Sequence, residues 1–328
     1  MHPAFSVIFL TTLIGVGQGA FLALFTVESY AAFGLLPAQE SGFYAGGSAL
    51  ALLFLVLGLV ASFFHLGRPE RAWRTAAKWR TSWLSREVIV LPAFMGVVFL
   101  YGAAHGVGFN PLLGALPGGI PVHAAFVLGV VGTVLAFALF ISTAMIYACM
   151  RFLQEWHSPL TVINYTLLGG ASGFTLAVAY AAAVRPELVS FLAGWAVILT
   201  LLGAAGRVAA LIRNAGLKPI ATLQTAIGVK HPSIRQIAQG FMGGSFNTRE
   251  FFHGMPAGFL RAVKWGFLVA VFAIPTALLL AGFAIGEGTA PLLLLAAFAV
   301  QYLGLLAERW YFFAEANHPQ NLYYQATS

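Results

Sequence analysis

The sequence contains no aspartate, and its ten acidic residues are all glutamates. Only 8% of its 328 residues are charged and 60% are apolar, whereas about a quarter of the residues in a soluble domain are charged. Because so few charges cannot cover a surface that faces water, most of the surface is expected to contact lipid or another protein. The net charge of +7 is sparse and scattered, so it does not predict nucleic-acid binding and is better interpreted as topology information.

The single cysteine, Cys149, limits the redox chemistry that this chain can perform alone. An iron–sulfur cluster needs about four cysteine ligands, a disulfide needs two cysteines, and a c-type haem site needs two before a histidine. Cys149 lies in an apolar run, which predicts a small buried hydrophobic residue. The N-terminus lacks a basic segment and a cleavage site, so its first apolar run is expected to remain as a helix.

Long apolar stretches are the main feature that is present. A membrane-spanning helix needs about 20 mostly apolar residues, and eight stretches qualify, of which the fourth is the longest. They cover roughly residues 5–32, 44–65, 86–106, 122–152, 162–183, 188–210, 262–285 and 290–313. Small residues at 169–172 predict a close contact between helices. The sequence therefore predicts an all-α integral membrane protein, with one transmembrane domain over residues 1–328 built as a bundle of eight transmembrane helices.

The basic residues lie almost entirely at one end of this bundle. Of the 17 lysines and arginines, Arg185 alone falls at the other end. We call the end with the other 16 the basic face; both termini are predicted to lie there too. By the positive-inside rule the basic face is cytoplasmic. The sequence thus predicts a multi-pass protein of the bacterial inner membrane with both termini in the cytoplasm.

One long polar segment, residues 214–261, is also predicted on the basic face. It contains Gly240, Gly243 and Gly244 and the aromatic pair Phe251 and Phe252. A connection of this length is usually functional or disordered, and its few charges and several aromatic residues do not indicate disorder. Two interpretations remain open: a platform for a cytoplasmic partner, or a cap packed over the bundle.

His65 and Glu87 are the strongest candidates for chemistry in the sequence. His65 ends the second predicted helix and Glu87 opens the third, both on the basic face, so their side chains could converge. A histidine can hydrogen-bond a quinone carbonyl and pass protons, and a buried glutamate could carry a second proton. Alternatively, His65 lies at the headgroup level and Glu87 pairs with Arg68, Arg71 or Arg86, or stabilises its helix N-terminus.

The residues around this pair resemble a known motif. The string His-Leu-Gly-Arg-Pro-Glu-Arg-Ala at residues 65–72, followed by Ser-Arg-Glu at 85–87, is similar to the His-Leu-Gly-x-Pro-x-Arg-Ala … Ser-x-Glu pattern of one family. That family comprises the membrane-anchor subunits of dimethyl sulfoxide reductase-type molybdoenzymes. The likeness covers most of the chain and is specific around residues 65–87.

The resemblance implies a complex of three subunits. A molybdopterin catalytic subunit and an iron–sulfur subunit would dock on the anchor, and molybdopterin and the iron–sulfur clusters would reside in those partners only. The anchor would exchange electrons with a quinone, ubiquinone or menaquinone. His65 and Glu87 match the histidine and glutamate implicated in quinol binding, and Gly67 and Arg71 of the same motif are assigned to the quinone site with them.

Within this family, the long segment 214–261 is more similar to the anchor of the sulfite dehydrogenase (sulfite:quinone oxidoreductase) branch. The predicted cytoplasmic position of the motif agrees with sulfite oxidation in the cytoplasm. The leading hypothesis is therefore an anchor that passes electrons to quinone beneath a sulfite-oxidising enzyme. The alternatives are a dimethyl sulfoxide reductase-type anchor that oxidises menaquinol and a transporter-like helix bundle.

Two further possibilities concern other ionisable residues. His105 and His123 share the end opposite the basic face, and two histidines can hold haem b, although hydrated interfacial histidines are far more common. Glu28, in the first helix, could serve a proton path or reach the interface.

Overall fold

The computed structural model describes residues 4–115, 117, 119–235, 255–285 and 290–317. Eight helices in this part of the chain are long and apolar enough to cross a membrane, which confirms the predicted fold class. Six are the helices α1 (Phe5–Ala32), α2 (Ser41–Phe63), α3 (Trp83–Gly106), α4 (Ala124–Ala148), α5 (Pro159–Val184) and α6 (Val189–Ala215). A short helix, α7 (Leu223–Ile227), follows them. The seventh span combines α8 (Ala257–Leu268) and α9 (Ile274–Ile285), and α10 (Ala290–Glu315) is the eighth.

The fourth span is shorter than the sequence indicates. Helix α4 has 25 residues whereas α1 has 28, so the prediction that the fourth span is the longest was wrong. A two-stranded hairpin of β1 (Leu112–Ala115) and β2 (Pro121–His123) precedes α4. At the other end, Nδ1 of His157 lies 2.6 Å from the carbonyl oxygen of Ala148, which caps the helix. Cys149 therefore follows the helix end and is exposed in this chain, so its interpretation as a buried residue was also wrong.

Helices α1 and α5 lie at the centre of the bundle. In each of these two helices, about 72% of an 18-residue apolar stretch is buried within the protein, whereas the same share is 28–39% in the other spans. Their backbones meet at glycines: a Cβ added to Gly15 would lie 3.3 Å from Cα of Gly169, and one added to Gly173 would overlap the backbone of Gly19. Small residues permit such close approach of membrane helices. The predicted contact at residues 169–172 is confirmed.

The seventh span contains a π-helical turn between α8 and α9, at Val269–Ala273. Pro275 follows, and because proline has no N–H, the carbonyl of Val271 loses the donor four residues along the helix. Gln301 of α10 replaces it, since its Nε2 donates to the Val271 oxygen at 3.2 Å and to Oγ1 of Thr200, also at 3.2 Å. The π-helical turn is thus accommodated without leaving this carbonyl unpaired in lipid.

The connection between α2 and α3 forms a 3₁₀ helix at Pro69–Lys78. Oγ of Ser85 donates to the carbonyl of Thr75 at 2.5 Å, which holds this segment against the start of α3. Of the segment 214–261, residues 236–254 lie outside the described residues, including Gly240, Gly243, Gly244, Phe251 and Phe252. The platform and the cap therefore both stay predictions.

Candidate functional site

Glu87 lies inside the bundle, close to the basic face. It is the fifth residue of α3 and lies about 6 Å along the axis from the helix start, at ~1.5 Å per residue. Only 6% of the Glu87 surface is exposed. Oγ1 of Thr143, in α4, donates to Oε1 of Glu87 at 2.5 Å. The carboxyl group therefore has a specific partner from a neighbouring helix, which an isolated glutamate at a lipid-facing position would lack.

Aromatic rings and an arginine lie next to this pair. The rings of Tyr147 and Tyr165 stack with centroids 5.8 Å apart, and Tyr165 lines the same cavity as Thr143, the partner of Glu87. The guanidinium carbon of Arg309 lies 3.9 Å from the centroid of the Tyr165 ring, within the range of a cation–π interaction. Glu87 thus adjoins a buried, polarisable environment made by α4, α5 and α10.

The other motif residues lie at the surface of the basic face. His65 is exposed beyond the end of α2, and within the described part of the chain no hydrogen bond or ion pair joins it to Glu87. Gly67 borders open space, and Nε of Arg71 lies 3.6 Å from Oε1 of Glu70. Partial desolvation of its ring lowers the pKa of His65. The fold places all four candidates at one end of the bundle, with Glu87 inside and the other three outside.

A buried network of arginines and glutamates was not foreseen from the sequence. Nε of Arg207 lies 2.7 Å from Oε1 of Glu308, and both side chains are 2% exposed. Glu308 also pairs with Arg309 at 3.3 Å, and Arg207 lies 3.7 Å from Glu315. A detectable signal was the position of Arg207 and Glu308 within apolar helices, where charged side chains are rare and usually paired.

A second polar cluster lies at the opposite end. The hydroxyl of Tyr101 donates to Oε2 of Glu28 at 2.7 Å, and Nε2 of His105 lies 3.5 Å from Oε1 of Glu28. Tyr44 stacks on His105 with centroids 4.5 Å apart. Glu28 therefore has partners within the bundle.

His123, the other histidine considered for haem, is separately engaged: its Nδ1 lies 3.1 Å from the carbonyl of Asn110. Among the described residues, no group of three or more His, Cys, Asp or Glu side chains could hold a metal ion.

Comparison with known proteins identifies the family. The profile of the DMSO reductase anchor subunit family (DmsC) matches residues 1–239. A sulfite dehydrogenase subunit from Allochromatium vinosum is 58% identical over 328 residues, which cover 100% of both chains. The chain belongs to the DmsC family.

Membership of the DmsC family identifies the chain as the anchor subunit of a DMSO reductase-type molybdoenzyme complex and a homologue of that sulfite dehydrogenase subunit. The eight described spans agree with this multi-pass anchor. An anchor subunit implies catalytic and iron–sulfur partners, as the motif at residues 65–87 indicated. The family favours the anchor interpretation over the transporter-like bundle.

Proposed function

We propose that this DmsC-family chain is the quinone-reactive anchor of a sulfite dehydrogenase, which passes electrons from an iron–sulfur partner to the quinone pool. The observation that carries the proposal is the buried Glu87 carboxyl group, which Thr143 bonds at 2.5 Å inside the basic end of the bundle. A buried ionisable residue in a membrane span is costly and usually functional. The name of the A. vinosum relative supports sulfite as the substrate of the complex.

The residues present suit a quinone. A bound quinone accepts two electrons and two protons, and therefore needs proton donors beside an apolar site. Glu87 can hold a proton on its carboxyl group, whose Oε1 is hydrogen-bonded to Thr143, and Tyr147 and Tyr165 offer aromatic surface nearby.

His65 has a separate part in this proposal. Its lowered pKa keeps the imidazole neutral at pH 7, so one ring nitrogen donates while the other accepts a proton. Because it is exposed at the basic face, it is suited to exchange protons with water or to contact the head of a quinone that enters there. Gly67, two residues on, has open space at its own Cα, and Arg71, half exposed beside Glu70, can contact a charged partner.

Replacement of Glu87 by glutamine should separate quinone chemistry from substrate oxidation. The amide keeps the shape of the side chain but cannot carry a proton, so quinone-coupled turnover should fall by about 10²-fold, the lower end of the ~10²–10⁴-fold contribution of general acid–base catalysis. Turnover with a soluble dye, which takes electrons from the partner subunits, should be unchanged. The assay is the ratio of the two rates in the purified complex.

The matched control is Glu187→Gln, which changes an exposed glutamate on the opposite face and should leave both rates unchanged. His65→Ala should also lower the quinone-coupled rate. If both Glu87→Gln and His65→Ala complexes couple to quinone as well as the wild type, the site assignment is wrong.

We further propose that the basic face is cytoplasmic and receives the partner subunits, since 16 of the 17 basic residues lie there. Cys149 is a natural reporter, because it is exposed on this face and no other cysteine is present. In membranes that hold the anchor without its partner subunits, a membrane-impermeant maleimide should label Cys149 in inside-out vesicles but not in intact spheroplasts. A Cys149→Ser, Glu187→Cys double variant should show the reverse pattern, and labelling of Cys149 from outside alone would overturn the orientation.

A further inference from the structure

Three cavities follow one another from the basic face towards Glu87. The outermost is a vestibule of about 430 Å³, formed among the described residues between the α4–α5 connection and residues 214–222. Inside it lies a cavity of about 10 Å³, and deeper still one of about 20 Å³. A water molecule needs roughly 10–15 Å³ of such space. Each inner cavity therefore has room for about one water molecule.

The cavities are consecutive because they share walls. Glu155 and Asn214 line both the vestibule and the 10 Å³ cavity. Tyr165 and Arg309 line both the 10 Å³ and the 20 Å³ cavity. Thr143 lines the 20 Å³ cavity and donates its hydroxyl hydrogen to Glu87. Shared polar lining residues thus join the vestibule to the cavity beside the buried carboxyl group.

Buried polar atoms that lack a hydrogen bond within the described part of the chain concentrate along the same route. They include Oε2 of Glu155, Oδ1 of Asn164 and Nε of Arg309. Leaving such an atom unsatisfied costs about 1–3 kcal/mol, and water is the usual partner for buried polar groups that lack one. One water in each cavity would supply the missing hydrogen bonds. Proton transfer requires such an unbroken series of hydrogen-bonded groups.

We propose that these cavities form a proton path between the basic face and Glu87. Glu155 exchanges protons with the vestibule, the Tyr165 hydroxyl relays them between the two waters, and the Thr143 hydroxyl passes them to Oε1 of Glu87. This inference rests on the proposed quinone function of Glu87. It assigns to Glu155 and Tyr165 a role that lies outside the motif at residues 65–87.

The charges along the route permit proton movement. A proton would be repelled by an isolated buried arginine, but Glu308 lies 3.3 Å from Arg309 and 2.7 Å from Arg207, and Glu315 lies 3.7 Å from Arg207. Two glutamates therefore balance these two arginines, and Arg213, which also lines the 10 Å³ cavity, donates to the carbonyls of Gln154 and His157. The direction of the Thr143 hydrogen bond also suits delivery, because its oxygen can accept a proton from the cavity water as its own hydrogen passes to the carboxylate.

The number of protons that the path carries matches the number of electrons transferred to each quinone. Reduction of one quinone to quinol consumes two electrons from the iron–sulfur partner and two protons, which the path delivers from the basic face to Glu87. In quinol oxidation the two electrons leave to the partner and the same groups release the two protons.

The water content of the path is the first test, and it does not depend on turnover. A high-resolution cryo-EM map of the intact complex should show ordered water density in both inner cavities, within hydrogen-bond distance of the Tyr165 hydroxyl and of Nε of Arg309. Cavities that are dry in such a map would overturn the proposal, since the protein groups alone do not form an unbroken series of hydrogen bonds.

The second test uses Glu155→Gln and Tyr165→Phe, each of which removes a proton-carrying group with little change in shape. Each should slow quinone-coupled turnover about tenfold, less than the ~10²–10⁴-fold effect of a group that reacts directly, and leave dye-linked turnover unchanged. The Glu155→Gln rate should recover with a small weak acid such as formate, which can enter the vestibule. Glu187→Gln and Tyr30→Phe, both on the opposite face, should resemble the wild type.

The outcomes separate this proposal from the proposed function. Wild-type turnover in the Glu155→Gln and Tyr165→Phe complexes, with Glu87→Gln impaired, would overturn the path and leave the quinone site intact. A slow Glu155→Gln complex that formate does not rescue would indicate a structural role and also overturn the path. Normal quinone coupling in the Glu87→Gln and His65→Ala complexes would overturn the proposed function itself.

Discussion

Replacement of Arg207 by methionine is expected to destabilise the bundle by about 3–5 kcal/mol, the cost of removing one partner from a buried ion pair. Methionine fills a similar volume but leaves Glu308, at 2% exposure, without the cation 2.7 Å away. It also removes a cation from above the Phe267 ring, whose centroid is 5.5 Å from the guanidinium carbon. The measurement is thermal unfolding of the purified, detergent-solubilised protein, together with the yield of assembled complex.

The cost should come from the buried negative charge that Arg309 alone cannot balance, rather than from lost packing. The double variant Arg207→Met, Glu308→Gln should therefore recover part of the stability, because it restores the charge balance of the network and leaves one cation, Arg309, and one anion, Glu315. Arg261→Met is the matched control, since Arg261 is exposed in α8, and it should change stability by less than about 0.5 kcal/mol. A double variant as unstable as Arg207→Met alone would contradict this explanation.

Replacement of Gly173 by valine is expected to separate α1 from α5, the two most buried spans. A Cβ at this position would overlap the backbone of Gly19 and the nitrogen of Ala20, and backbone atoms cannot move aside as side chains can. The cost should reach or exceed the upper end of the ~1–3 kcal/mol that overpacking usually takes. Loss of the monodisperse peak in size-exclusion chromatography would report it.

Gly96→Val provides the matched control in another span. Gly96 lies in α3 and a Cβ there would meet nothing within 4 Å, so this variant should elute and unfold like the wild type. The same substitution is thus expected to be severe at one helical glycine and neutral at another. Equal behaviour of the two variants would mean that the α1–α5 crossing is not the limiting contact.

The sequence predicted the spans well because a span depends on a contiguous stretch of residues. Helices α1 and α3 end at the predicted residues 32 and 106, and α10 begins at residue 290 as predicted. The error in the fourth span arose at its C-terminal end, where apolar residues continue past the helix. There the end is fixed by His157, nine residues after Ala148, and hydropathy does not reveal such a contact.

The candidate site was predictable only in part. The motif directed attention to Glu87, but the sequence offered arginines of the same loop as its partners. The structure gives it Thr143, 56 residues away, and places His65 outside. The sequence marked Arg207 and Glu308 as charges within apolar helices, but their contact with each other, the cavities and the place of Glu155 could not be inferred, since each depends on how separate helices are rotated about their axes.

By itself, the sequence determined that this chain lies in a membrane, crosses it about eight times and gathers its basic residues at one end. Those properties follow from hydrophobicity and charge counted along short stretches. Tertiary structure alone decided which ionisable side chains face the interior and which cavities they share. Neighbouring helices meet at points distant in sequence, such as Gly15 and Gly169, and the depth and rotation fixed by those contacts bring Glu87, Tyr165 and Glu155 onto one route.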